Sequence, residues 1–336
     1  MARVELDYPF DDQQPDTGEF IEVADGINWL RMPLPFDLDH INLWLLEDGD
    51  GWAIVDSGLG NNKSKDIWRK VCAQIGAVPG GGRPVTRVFA THFHPDHMGL
   101  AGWHCEEHEV ELWTTRTEWM MARSLYLDTE GANRREMAEF YLRNGVPQAW
   151  YDRTLKLGNT YREIVEEPPA RFHRVSDGES FEIGGRSWHA AYYCAEIDTL
   201  ISGDHVLPRI SPNISLWASE PEADPLGDYL TSLEKFKALP AGTLVLPSHV
   251  QPFRGLHERA AELQDHHHER LGAIAEAMTG KSLTGYEAIP ILFGRQYEEF
   301  QLGLAMGECL AHLARLREDG KLSIEDGGDG LRRYAG

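Results

Sequence analysis

An α/β fold, with sheets covered by helices on their outer faces, is what the order of patterns along these 336 residues predicts. Three observations carry it. Strand-length apolar runs joined by a Gly/Asp turn stand early in the chain. Strand and amphipathic-helix patterns alternate through the middle, and strand-like runs then return before a last helix-strand cycle. Amphipathic helices between strands need an apolar surface to cover, and a sheet face supplies it.

The hairpin is His40-Ile41-Asn42-Leu43-Trp44-Leu45-Leu46 and Trp52-Ala53-Ile54-Val55 around Glu47-Asp48-Gly49-Asp50-Gly51, ending at Asp56-Ser57-Gly58. Ile67, Trp68, Val71 and Ile75 then fall at helical spacing, with Asn61, Asn62 or Ser64 available as N-cap and Pro79-Gly80-Gly81-Gly82 as terminator. A strand over residues 85–90 runs into Thr91-His92-Phe93-His94-Pro95-Asp96-His97-Met98-Gly99, and a short helix leads to a strand over 110–113. Residues 115–144 read as one or two amphipathic helices, and 168–204 as strand-like runs. A helix over 225–238 and a strand over 243–246 lead to Pro247-Ser248-His249. Beyond Gly255 the pattern is helical over 256–278, 283–288 and 296–318, and the tail reads as a two-stranded wing around Gly327-Gly328-Asp329-Gly330. The expected domains are therefore 1–254 and a mostly helical accessory domain over 255–336.

Composition narrows the function. Acidic residues outnumber basic ones by 54 to 32, a net charge of −22 that repels phosphate backbones and anionic membranes, so neither nucleic acid nor membrane is an expected partner. Cys72, Cys105, Cys194 and Cys309 are widely spaced with no CxxC pair, which speaks against a disulfide framework and for a reducing compartment. The N-terminal stretch has no apolar core of signal length and no run reaches 18 apolar residues, so a cytoplasmic protein is expected.

The chemistry concentrates in His92, His94, Asp96 and His97, four potential ligands within six residues on a loop after an apolar strand. Imidazole and carboxylate donors suit zinc, iron or manganese. The other histidines are expected to be structural. His266-His267-His268 point in different directions around a helix and read as a solvated face, and His104 and His108 at i,i+4 read as a surface helix, since Cys105 occupies the position where HExxH needs Glu. Trp113, Trp119, Trp150, Trp188 and Trp217 read as core or domain-contact residues.

With its HxHxDH motif at His92, His94, Asp96 and His97, the chain resembles the metallo-β-lactamase superfamily. Asp56-Ser57-Gly58 matches the family's Asp-Ser/Thr-Gly turn, Asp204 in Ser202-Gly203-Asp204 its bridging aspartate, and His249 its last histidine, so the resemblance covers about residues 20 to 255. It implies an αββα sandwich followed by a winged-helix-like region, as in thioesterase-like members, with two metals at one edge. His92, His94 and a third histidine would hold the first ion, Asp96, His97 and His249 the second, and Asp204 would bridge them, with Asp96 also the candidate catalytic carboxylate. The implied activity is hydrolysis of an ester-like bond, a thioester or lactone, by a metal-bound hydroxide.

One landmark departs from the family. The third histidine of the first site usually lies in a Gly-His-Ser/Thr-Pro loop, and this chain has no Gly-His pair; Gly184-Gly185-Arg186-Ser187-Trp188-His189-Ala190-Ala191-Tyr192-Tyr193 stands there instead. His189 as substitute ligand, His205 or His173 in that role, or a weak or empty first site are the open alternatives. The competing functions are accordingly an impaired or non-catalytic binding protein, a β-lactam hydrolase, or an iron-bearing redox variant. A small-molecule substrate is expected, with Leu34 and Phe36 in the Pro-interrupted segment before the hairpin as candidate contacts, and a homo-oligomer is compatible with the sequence.

Overall fold

A computed structural model describes residues 4–36, 38–78, 81–190 and 192–336. Its first half contains β1 (Phe20–Ala24), β2 (Ile27–Pro33), β3 (His40–Asp48), β4 (Gly51–Val55), α1 (Asn62–Gln74), β5 (Val85–Phe89), α2 (Pro95–Met98), α3 (Ala101–His108) and β6 (Leu112–Thr114). The helices α4 (Arg116–Leu127), α5 (Ala132–Arg143), α6 (Gln148–Lys156) and α7 (Thr160–Ile164) follow, then β7 (His173–Arg174). These seven strands form one sheet in sequence order, antiparallel through β4 and parallel from β4 to β7.

A second sheet is built from β8 (Ser180–Ile183), β9 (Arg186–His189), β10 (Tyr193–Cys194), β11 (Thr199–Gly203) and, after α8 (Pro225–Lys235), β12 (Leu244–Pro247), in the order β12-β11-β10-β9-β8. The chain ends with α9 (Leu256–Met278), β13 (Ser282–Leu283), α10 (Gly285–Phe293), α11 (Glu299–Glu318), β14 (Ser323–Asp326) and β15 (Arg332–Ala335), the last two forming the expected wing, to which β13 adds a third strand.

Side-chain alternation along the strands makes the layers. Trp29, Trp44, Val55 and Phe89 point between the sheets, against Phe181, Trp188, Ile201 and Leu246. Their neighbours Leu30, Leu43, Leu45, Ile54 and Val88 face the other way, under Trp68 and Val71 of α1 and Ala101 of α3. On the far side Leu200 and Val245 turn outward into a core with α8, α9 and α11. Four layers in the order α, β, β, α result, in agreement with the expected fold class.

The sequence expectation over 115–144 stops short, because α6 and α7 extend the helical insert to Ile164. Each is under three turns long, a span that gives the apolar positions little room to recur. The helical piece expected at 283–288 runs on to Phe293, past Pro290, from a capping box made by Thr284 and Glu287. Pro79 and Gly80 of the turn expected after α1 lie outside the described residues.

The C-terminal helices also grip the chain after β11. Arg259 of α9, only 5% exposed, donates from Nε to Leu207 O at 2.6 Å and from Nη2 to Ile210 O at 2.8 Å, and Leu216 N donates to Gly307 O of α11 at 3.0 Å. The segment they hold ends at Trp217, whose ring meets Phe93 at 5.7 Å between centroids.

Candidate metal centre

The ends of four strands, β4, β5, β11 and β12, converge at one edge of the sandwich. At the end of β4, Asp56 (φ +60°) leads into Ser57 and Gly58, whose N–H groups donate to His97 O at 3.0 Å and Asp96 O at 2.9 Å. The contact is close. At Gly58 (φ +81°) a Cβ would meet Met32 Cγ at 2.9 Å, and at Gly99 one would meet Gly58 O at 2.4 Å, so both positions need glycine. The Asp56 carboxylate, fully buried, accepts from Thr91 N at 2.8 Å and from His97 Nδ1 at 2.8 Å. That bond places the His97 proton on Nδ1 and leaves Nε2 free to face inward.

The other two strand ends bring Asp204 and His249. His249 donates from Nδ1 to His40 O at 3.0 Å, again leaving Nε2 free. Asn42 of β3, fully buried, holds the turn from the opposite sheet, donating from N to Ser248 O at 2.7 Å and from Nδ2 to Pro247 O at 2.8 Å. Val250 beyond it has φ +75°, a conformation that a β-branched residue adopts only under constraint.

The ligand atoms fall into two groups. His92, His94 and Asp204 form one; Asp96, His97 and His249 form the other; within each, the atoms lie within 4.8 Å of one another. Asp204 also reaches the second group, with Oδ1 at 3.4 Å from both His97 Nε2 and His249 Nε2, and Oδ2 at 3.9 Å from His92 Nε2. Asp96 Oδ2 stands 3.6 Å from His97 Nε2 and 3.5 Å from His249 Nε2. Tetrahedral donors around an ion bonded at about 2.0–2.2 Å sit about 3.3–3.6 Å apart. The four separations around His97 and His249 match, whereas the 3.9 Å from Asp204 to His92 and the 2.9 Å between His92 Nε2 and His94 Nδ1 fall outside that range. His97 Nε2 and Asp204 Oδ1 are moreover buried with no hydrogen-bond partner, an arrangement that costs stability unless a cation completes it.

Electrostatics point the same way. Burial opposes charge on His97, yet the Asp56, Asp96 and Asp204 carboxylates outweigh it and hold its pKa well above the ordinary value. Burial, reinforced by the neighbouring His97, holds His92 and His94 below theirs. Asp204 lies well below the usual carboxylate range because His97, His92 and His249 outweigh its burial. The carboxylates of the centre thus favour positive charge in the space that the ring nitrogens face.

None of the three substitute histidines joins the first group. His189 is exposed on β9 with Nδ1 3.0 Å from Ser180 Oγ; His205 lies 2.7 Å from Ser232 Oγ; His173 stacks on Trp113 at 3.6 Å. The reason is the short connection. His189 of β9 pairs with Tyr193 of β10, only four positions further along the sequence. Tyr192, at φ +56°, sets its ring against Phe89 at 5.7 Å. Of the two candidate substrate contacts, Leu34 is buried in the core beneath α1 and Phe36 is 54% exposed.

A profile of the metallo-β-lactamase superfamily matches residues 36–249. The chain belongs to the metallo-β-lactamase superfamily. A profile for the C-terminal domain of metallo-β-lactamase-like proteins matches residues 271–336. A crystal structure of a beta-lactamase domain protein from Burkholderia ambifaria is 39% identical, with a TM-score of 0.84 and 98% of each chain covered. One of a metallo-β-lactamase family protein from Thermus thermophilus is 30% identical, with a TM-score of 0.76, covering 94% of this chain and 99% of that one. The probable metallo-hydrolase YqjP of Bacillus subtilis (strain 168) is 25% identical over 299 residues, 84% of this chain and 90% of that protein. Superfamily membership makes the chain a metallo-hydrolase by class, and the two groups are its candidate sites for divalent metal.

Sequence reasoning passed over His40, Asn42 and Thr91. Asn42 carried a usable signal, a polar residue inside the apolar run of β3. Histidines 104 and 267 correct their expectations, since both are fully buried, His104 between Trp68 and Trp103 and His267 beside His312. Among the described residues no helix is long and apolar enough to cross a membrane.

Proposed function

We propose that the chain hydrolyses an ester-like bond, a thioester or a lactone, in a small-molecule substrate, with zinc held firmly by Asp96, His97, His249 and Asp204. A second, weaker ion would be held by His92, His94 and Asp204. The observation that supports this most is the pair of convergent donor groups around buried, unpartnered His97 Nε2 and Asp204 Oδ1. Iron or manganese would find the same donors acceptable. A divalent ion bound there supplies a Lewis acid for the scissile carbonyl and lowers the pKa of coordinated water.

The chain's own residues do the rest. Asp56 and the His40 carbonyl orient His97 and His249. Asp96, Asp204 and His92 keep 18%, 27% and 19% of their side chains open, so substrate approaches from their side while His97 and His249 form the floor. Asp96 is placed to take up or release a proton on that open side. Phe93 and Trp217 form an apolar wall beside His94, which excludes water from one flank. The acidic surface fits a substrate that is not polyanionic. Residues 255–336 act in this reading as an accessory unit that braces the segment leading to Trp217.

The short β9-β10 connection favours a second reading, in which the incomplete first group leaves a metal-bearing binding protein without turnover. Metal analysis of the purified chain, followed by assay with a generic thioester, a lactone and a chromogenic β-lactam, separates them. Thioester or lactone turnover that chelation abolishes is the expected result. A fully metal-loaded yet inert chain overturns hydrolysis in favour of binding, and turnover of the β-lactam alone overturns the substrate class.

A further inference from the structure

The two histidines of the first group flank a single residue, Phe93, and both polar groups of that residue are held by the helical insert. Phe93 N donates to Glu118 Oε2 of α4 at 2.8 Å, and Tyr161 of α7 donates its hydroxyl to Phe93 O at 2.6 Å. The two arms are tied together. Asn159, which caps α7 by accepting from Arg162 N at 2.9 Å, donates from Nδ2 to Leu125 O at 2.7 Å and Asp128 O at 3.1 Å at the end of α4. Trp119 and Arg123 of α4 donate to Pro169 O at 2.8 Å and Pro168 O at 2.7 Å, fixing the chain that leaves the insert.

We propose that Glu118 and Tyr161 are positioning residues that set the spacing of His92 and His94, so that the first group can hold a metal without a third histidine. The inference rests on the two-group reading above. A third histidine would add to His92 and His94 a further donor from another element. Here two of the three donors lie two residues apart on one loop, and the angle between their rings depends on the backbone at Phe93. His92 Nε2 and His94 Nδ1 stand 2.9 Å apart with centroids at 4.5 Å. Rotation of either peptide flanking Phe93 would swing one ring away from Asp204, and the clamp opposes both rotations, one polar group each. The second group does not depend on it, because His97 and His249 are held by Asp56 and His40.

The test is stepwise titration of the chelator-stripped full chain with Zn²⁺ alone, read by competition with a chromophoric chelator, beside thermal unfolding of the metal-free chain. Wild type is expected to take two equivalents of unequal affinity. Glu118→Leu and Tyr161→Phe should each weaken the looser event by about 10–100-fold and leave the tighter one within about twofold, the size usual for loss of an orienting partner. Glu118→Gln should restore the looser event, since its amide oxygen still accepts from Phe93 N. A merely structural role would lower the melting temperature and weaken both events together, or leave both alone, and either result overturns the proposal. Equal weakening in Glu118→Gln and Glu118→Leu also overturns it. A wild-type chain that takes fewer than two equivalents overturns the two-group reading itself, and the clamp with it.

Discussion

Besides His104, the described residues hold two sets of buried histidines, and only one of these sets faces carboxylates with free ring nitrogens. At the sheet edge, His97 and His249 spend Nδ1 on Asp56 and on the His40 carbonyl and turn Nε2 toward Asp96 and Asp204. Between α9 and α11, His267 and His312 turn to each other, with Nδ1 of one 3.2 Å from Nε2 of the other, while His312 Nδ1 donates to Glu308 O at 2.8 Å. Glu308, whose backbone oxygen takes that bond, has its carboxylate paired with Arg270 at 2.7 Å. Burial alone therefore does not make a metal site. Convergent carboxylates with no cation of their own do.

The sharpest way to break the comparison is Asp204→Ala set against His312→Leu. Removing the carboxylate shared by both groups should lower turnover by about three orders of magnitude or more and cut the metal content, because each group loses a ligand. The same measurements on His312→Leu should match wild type. Retained turnover in Asp204→Ala would show that the sheet-edge cluster is not the reaction centre.

Next in size is Asp56→Asn. The substitution leaves one acceptor oxygen for two donors, His97 Nδ1 and Thr91 N, and removes the charge that makes the ring a stronger donor, so metal affinity should fall by about 10–100-fold. Competition titration against a chelator reads it. Unchanged affinity would mean that His97 is held by packing alone.

The second set predicts an acid sensitivity. Burial pushes His267 down to about 3 and His312 down to about 4, with Arg270 and His266 adding to the effect, while the unfolded chain titrates near the ordinary value of about 6.5. Between those limits the unfolded chain binds protons that the folded one refuses. Stability is therefore full above about pH 6.5 and falls as the pH drops toward 4, by on the order of a few kcal/mol. Thermal unfolding of metal-free protein from pH 7 to pH 4 measures it, and the double variant His267→Phe, His312→Leu should lessen the slope, leaving the part owed to His92, His94, His104 and His205, which burial also holds below the ordinary value. A slope unchanged by the substitutions would assign all of it to those other groups.

How much of this could be read in advance depended on the range of the interactions. The HxHxDH run, Asp56, Asp204 and His249 lie at strand ends, and strands announce themselves as apolar runs of strand length, as Trp52-Ala53-Ile54-Val55 does. Helix-covered sheets followed from the order of these runs, and the four-layer order from the family resemblance that the HxHxDH run carries. The burial of His104 and His267 was not legible, because a single histidine on a helix shows its face only against a partner, here Trp68 and His312, from far along the chain. The clamp on Phe93 was hidden for the same reason, with Glu118 and Tyr161 separated from it by 25 and 68 residues. Asn42 lay in plain view as a lone amide in an apolar strand, a pattern that asks which backbone group it serves.

The smallest effect is expected from His189→Ala, and it tests the boundary of the metal centre. Sequence comparison with the family left His189 the first choice for the missing third ligand, since it is the histidine nearest to where the Gly-His loop would stand. Its position in β9 argues otherwise. Its ring is exposed beside Ser180, and strand pairing at Tyr193 fixes the backbone on both sides. An exposed side chain with one hydroxyl partner should cost less than about 0.5 kcal/mol on truncation. Metal stoichiometry, both affinities and turnover are therefore expected to stay within about twofold of wild type. Loss of the looser metal in His189→Ala would mean that ion binding pulls β9 out of the sheet, and the first group would then be built on binding rather than in the fold.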